Sequence, residues 1–159
     1  VAATAFANTL IAPSLAMITW TVIDWSRQSG SNLISSMTGA VAGLATITPA
    51  AGYVEPWGAA LIGIAGGIVT YLAVQFRKRM GWDDALDVWG IHGVGGLTGA
   101  VLVGVLAVAA VNQVSGLVEG NGRQFVVQLV GVAVAAAYTF FVAWAILTII
   151  ARVWPARRR

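Results

Sequence analysis

The chain has 159 residues, of which 58% are hydrophobic and 9% charged, with a formal net charge of +3. A water-soluble domain of this size carries about 25% charged residues, so a globular surface facing water is excluded and lipid is the expected solvent. The basic residues sit in short clusters between apolar runs, which requires no nucleic-acid partner, and the absence of cysteine excludes disulfides and thiolate metal sites.

Five apolar runs follow in chain order, each close to the ~20 residues of a spanning helix. They predict helices at about 2–23, 33–54, 57–76, 88–111 and 125–151. Pro13 is expected to kink the first, and Pro49 to kink or end the second. Polar or Gly/Pro-marked segments separate them: SRQSGSN, the Glu55-Pro56 region, KRMGWDD and NQVSGLVEGNGR. The runs are continuously apolar rather than alternating, which disfavours a β-barrel. The fold class is therefore all-α, a polytopic membrane helix bundle, with residues 1–159 forming one transmembrane domain.

If the Arg77–Arg79 loop is cytoplasmic, that side holds Arg27, Arg77, Lys78, Arg79, Arg152, Arg157, Arg158 and Arg159, and the other side only Arg123. This bias places the N-terminus outside and the C-terminus in the cytoplasm. Trp25, Trp57, Trp82 and Trp154 fall at predicted helix ends, where indoles favour the interface. Gly39/Gly43, Gly63/Gly67 and Gly95/Gly99 repeat a four-residue spacing that lets backbones approach closely in lipid. Asn8, Thr9, Ser35, Ser36, Thr38, Thr46 and Thr48 read as interhelical glue.

His92 is the only histidine and lies within the fourth run. An ionisable residue at membrane depth is a functional-site candidate. Helical spacing puts His92 with Gly95, Gly96 and Gly99 on one face, Val88 a turn earlier, and so predicts that the imidazole points into the bundle. Two roles stay open: a structural imidazole bonded to a neighbouring helix, or a pore-lining donor and acceptor that relays a proton or binds a small polar substrate. A metal site lacks further ligands, and no catalytic triad or other enzyme pattern is present. The string GVGGLTG lacks dinucleotide-loop spacing, and no cofactor is expected. Asp83, Asp84 and Asp87 are expected to cap the fourth helix, Asp87 being the deepest of the three.

The segment DDALDVWGIHGVGGLTGAVLVGVLA resembles the signature region of the ammonium transporter family, in its Amt/Mep rather than Rhesus form. FANT (6–9), SSMTGAVAGLATITPAAGYVEPWGA (35–59) and the glycine helix after it resemble the family in the same order. The resemblance implies a homotrimer in the plasma or inner membrane. It implies eleven helices per subunit and a narrow apolar pore between two inverted repeats. Ammonium would bind outside, pass an aromatic gate, lose its proton and cross as ammonia past two facing histidines, the proton being relayed separately. His92 matches the second histidine. Val88 and Val41 match pore-lining positions, and Thr48 a polar position near the passage. Asp87 matches a buried carboxylate at the helix start, and Gly93, Gly95, Gly96 and Gly99 support the histidine.

The five helices resemble the last five of eleven. The first histidine, the gate phenylalanines, the vestibule tryptophan and serine, and the first half's aspartate have no counterparts. The chain opens on Val1 and stops at WPARRR without the family's acidic, glycine-containing tail. The expectation is a C-terminal fragment that needs an N-terminal half for a complete pore. Two alternatives are an ammonium-sensing input domain of a signalling protein and a non-functional structural fragment.

Overall fold

The structure, a computed structural model, describes residues 1–27 and 33–153. Most of the SRQSGSN segment, Trp154 and the terminal arginines therefore lie outside the described residues. The elements are α1 (Ala2–Arg27), α2 (Leu33–Ile47), α3 (Pro56–Met80), a π-helical turn (Trp89–Val94) running into α4 (Gly95–Leu106), a short α5 (Ala109–Asn112), a 3-10 turn (Leu117–Glu119) and α6 (Gly122–Val153). No strand occurs among the described residues. α1, α3, α6 and the continuous stretch Trp89–Leu106 are long and apolar enough to cross a membrane, whereas α2 is a shorter apolar helix.

α1 is the post on which α2 and α3 pack. Its buried residues are Asn8, Ala12, Ala16, Trp20 and Asp24, one every four positions and so one stripe. The middle of the stripe is alanine, and glycines from both neighbours press against it. A methyl on Gly43 would lie 2.5 Å from Pro13 Cα and 2.8 Å from the Ala12 carbonyl oxygen, and one on Gly63 would lie 2.8 Å from Ala12 Cα. Three backbones thus meet at Ala12, which only small residues allow. α1 stays helical through Pro13, and the close approach of Gly43 falls at that residue.

Polar groups close the two ends of the stripe. Asp24 accepts hydrogen bonds from Ser35 Oγ (2.5 Å) and Tyr71 Oη (3.4 Å), and Trp20 Nε1 donates to Ser35 Oγ (3.0 Å). The expected end of the first span at Asp24 is therefore moved to Arg27. A carboxylate does not stop a helix when hydroxyls from α2 and α3 compensate its burial. Two apolar cores flank the glycine contacts. One gathers Ala12, Ile47, Val54, Ile62, Val103 and Leu106, and the other Trp20, Ala42, Tyr71, Val74 and Ile91.

Helix ends differ from the expected bounds for identifiable reasons. α2 stops at Ile47 rather than continuing to residue 54. Pro49 lacks an N–H, its ring opposes the carbonyl four residues back, and it biases Thr48 away from the helical region. The following turns are held by Asn8, whose Nδ2 donates to the Ala51 (2.8 Å) and Val54 (2.7 Å) carbonyls. Asn8 Oδ1 is buried without a donor among the described residues, so those two bonds carry the compensation for burying the amide. α3 begins at Pro56, a favoured first helical residue, and runs past Phe76 to Met80. There Gly81, at φ 66°, ends it in a left-handed cap, with Gly81 N donating to Lys78 O and Trp82 N to Arg77 O. The fourth helix ends at Leu106, not Val111. Ala107 is extended, and Val108 N donates to Tyr53 O (2.9 Å), so a tertiary bond replaces the helical one.

Asn8→Ala removes the donor to two carbonyls in a non-helical turn. It is expected to lower stability by about 1–3 kcal/mol, seen as a reduced Tm in detergent with unchanged expression of the full-length chain.

Candidate functional site

The carboxylates ahead of the fourth helix divide their work. Asp84 alone caps it: Oδ1 accepts from Val88 N (3.0 Å) and Oδ2 from Trp89 N (2.8 Å). Asp83 is exposed. Asp87 is not a cap. It has a left-handed backbone, φ 53°, and its carboxylate forms an ion pair with Arg77 of α3, both side chains being mostly buried. The expectation of three capping carboxylates is corrected on this point. A residue whose backbone reverses direction cannot aim its side chain back at the first amides, and a guanidinium from α3 takes it instead.

The helix then opens with a π turn over Trp89–Val94. Gly90 packs on α3, where a methyl would sit 2.9 Å from Val74 Cγ2, and Ile91 is buried against Trp20, Tyr71 and Val74. His92 is the next residue around and is exposed. The expectation that His92 shares one face with Gly95 and Gly99 is thereby corrected. The wider π turn and the inward Gly90-Ile91 pair rotate the imidazole away from the face that Gly95 and Gly99 share.

That face belongs to the glycines alone. A methyl on Gly95 would meet Thr70 Cγ2 at 3.1 Å and Thr46 Oγ1 at 3.2 Å. A methyl on Gly99 would overlap the Thr46 carbonyl oxygen and lie 2.9 Å from Pro49 Cγ. The two threonines there are buried and bond their hydroxyls back to Ala42 O (2.8 Å) and Gly66 O (2.5 Å). Gly96 has nothing within 4 Å of its would-be methyl, and Gly93 only the Trp89 ring at 4.0 Å.

His92, Gly93 and Gly96 instead border an open cleft of about 540 Å³ between this helix and α6. Trp89 and Leu97 complete the near side, and Ala136, Thr139 and Phe140 stand across it on α6. Besides the imidazole, the Thr139 hydroxyl and the Trp89 indole, the side chains bordering the cleft are hydrocarbon. A second cleft, of about 460 Å³, lies between α2 and the start of the π turn; Val41, Met37, Ile91 and Asp87 line it. Val41 and His92 thus border different clefts. Val88 is exposed at the start of the π turn. Thr48 is exposed just past α2, its hydroxyl donating to Leu44 O (2.7 Å).

Sequence reasoning missed three contributors: the π turn itself, the α6 side of the cleft, and Arg77. The glycines at 90, 93, 95 and 96 are the one signal that could have flagged an irregular helix here. Among the described residues no three His, Cys, Asp or Glu side chains converge as a metal site would require.

The chain is similar to known proteins over nearly its whole length. A model described as the Ammonium Transporter Family matches residues 1–157. The ammonium transporter Amt1 of Archaeoglobus fulgidus is 46% identical over 142 residues, covering 89% of this chain and 36% of that protein. The ammonium transporter of Bacillus subtilis is 36% identical over 160 residues, covering 99% of this chain and 40% of that protein. The crystal structure of Mep2 from Candida albicans superposes with a TM-score of 0.89 at 34% identity, covering 94% of this chain and 34% of its own. That of Saccharomyces cerevisiae Mep2 gives 0.87 at 35% identity, with 93% and 35% covered. The chain therefore spans two fifths or less of the length of these relatives.

The two faces of the fourth helix make a sharp pair of predictions. Gly99→Ala drives a methyl into the Thr46 carbonyl and is expected to destabilise the bundle by about 1–3 kcal/mol or more. Gly96→Ala meets open space and should leave the unfolding midpoint in detergent unchanged.

Proposed function

This chain belongs to the ammonium transporter family, and we propose that it supplies one wall of a conduction path for ammonium and ammonia, with His92 on that wall. It is a multi-pass membrane protein built as a helical bundle, and the family members it matches are transporters, not enzymes. The observation that carries the proposal is the setting of His92: an imidazole held outward by the π turn, at the edge of an otherwise apolar cleft.

The chemistry follows from hydration. Stripping water from an ammonium ion in a hydrocarbon cleft costs many kcal/mol, of the order of the several kcal/mol per ion found for buried charges. Neutral ammonia escapes most of that cost. A neutral imidazole offers one donor and one acceptor, so it can bond ammonia without placing a fixed charge in the passage. A histidine is also the side chain suited to exchanging the proton that deprotonation releases. Val88 and Val41 are proposed as apolar pathway residues, and Thr48 as a polar group beside it. Gly95 and Gly99 fix the helix against α2 and α3, while Gly93 and Gly96 leave the space beside the ring clear.

The opposite wall is proposed to come from the part of the relatives that this chain does not span, and the complete transporter to assemble as a homotrimer in the plasma or inner membrane. The family's inverted-repeat logic places a site between two such halves. The N-terminus is proposed to face outward and the C-terminus the cytoplasm, by the eight-to-one distribution of basic residues.

Cells that express this chain together with a first-half segment of a relative are expected to take up methylammonium, and cells expressing either piece alone are not. In the paired pore His92→Ala should abolish charge movement on addition of ammonium; undiminished current in that variant removes the relay role. Orientation is separately testable because the chain has no native cysteine. A thiol placed at Asp83 should react only from the cytoplasmic side and one at Gln113 only from the outside, and the reverse pattern overturns the assignment.

A further inference from the structure

Arg77 sits in a run of three basic residues at the end of α3. Such a run is explained by the positive-inside bias and by the helix dipole. Arg79 fits that account, being exposed, whereas Lys78, also exposed, borders a pocket with Asp24 and Asp87. Arg77 does not fit it. Its side chain is 16% exposed, and its guanidinium reaches two separate points of the chain that follows. Nε donates to Asp87 Oδ1 at 3.1 Å, Nη2 bonds the same oxygen, and Nη1 donates to Trp82 O at 3.3 Å.

The group it holds sets the start of the helix that carries His92. Asp87 has φ 53°, a conformation that Asp tolerates better than most residues but does not prefer. Its N–H donates to Asp84 O (3.2 Å), and its carbonyl accepts from Ile91 N (2.9 Å), the first helical bond of the segment. The orientation of that one peptide therefore fixes the phase at which the π turn begins. With the phase as observed, Gly90 and Ile91 face α3 and His92 faces the cleft. Successive residues of a helix differ by about 100°, so a shift of one position would carry the imidazole out of the cleft and put a longer side chain where Gly90 meets Val74.

We infer that Arg77 is a positioning residue for His92, acting through Asp87. The inference rests on the reading of His92 as a pathway residue, but its test reads the imidazole itself. His92 is the only histidine in the chain, so histidine-selective ¹⁵N labelling of the full chain in nanodiscs gives a single imidazole. R77Q and D87N are expected to shift or split its ring resonances while far-UV circular dichroism stays that of the parent. D87N matters because asparagine also accepts the left-handed backbone, which separates the ion pair from the turn. R77K, which keeps the charge but not the fork, should give a smaller shift. R79Q removes a charge from the same helical turn and should leave the signal in place.

Unchanged ring resonances in helical R77Q and D87N overturn the inference, as do shifts of equal size in R79Q. Loss of helicity in both R77Q and D87N assigns the pair to folding and overturns it as well. If R77Q alone fails to fold, D87N decides. None of these signals depends on transport, so a failure of the conduction reading leaves its own separate mark in the uptake and current measurements.

Discussion

Helix backbones in this bundle approach to distances that only a hydrogen at Cα permits, and the rest of the structure depends on that contact. Lipid supplies no hydrophobic drive between helices, so cohesion comes from packing and from satisfied polar groups. Gly43 and Gly63 close on Ala12 of α1 from two sides, and Gly99 closes on the Thr46 carbonyl. Each contact fixes the rotation of a helix as well as its distance. The start of the face that α4 gives to α2 is therefore occupied by Gly95 and Gly99, with the larger Val103 packing only farther along, near Ile47. His92 faces the cleft partly because the packed face has no room for it.

Close packing leaves a second problem, the backbone groups where helices end at membrane depth. Hydrocarbon offers them nothing, and irregular backbone persists there only where protein satisfies it. α2 ends before Pro49, and Asn8 of α1 reaches across to the carbonyls of the turn that follows. The fourth helix ends at Leu106, and Val108 donates to Tyr53 in that same turn. The two irregular segments brace one another, with Asn8 behind both. At the other end of the fourth helix Asp84 covers two free amides, which leaves Asp87 free to pair with α3. Polar side chains at the margins thus do what an uninterrupted helix would otherwise do for itself.

This division explains what could be read from the residues and what could not. Apolar length marks the spans, because a helix long enough to cross lipid writes itself as a run of ~20 residues. The small-residue spacing marks Gly43, Gly63 and Gly99 as contact points. The shortening of α2 was half legible, in that Pro49 marks the place but not whether the helix bends or stops. The direction of His92 was not legible from a 3.6-residue period, since a π turn breaks the period at the residue in question. Arg77 was hidden for a different reason. Next to Lys78 and Arg79 it looks like one more topogenic charge, and only the fold brings it to Asp87, ten positions later. Thr48 illustrates the opposite case, where a hydroxyl that looks available is engaged by its own helix at Leu44.

The apolar surface of the chain also sorts by chemistry. α6 has no buried residue, and side chains such as Phe141, Trp144 and Ile150 are exposed along it. Hydrocarbon or lipid headgroups can cover those positions without penalty. The cleft beside His92 is different, because an imidazole has a donor and an acceptor that acyl chains cannot meet, and an unsatisfied polar group in hydrocarbon costs several kcal/mol. Asp87 raises the same issue in the cleft beside Val41, and there Arg77 resolves it from within the chain. No hydrogen bond or ion pair engages the imidazole among the described residues, although the Thr139 hydroxyl borders the same cleft. Of Asp87 and His92, the first is neutralised by Arg77 and the second faces its cleft without such a counter-charge. That asymmetry separates a structural ion pair from an imidazole left facing its cleft.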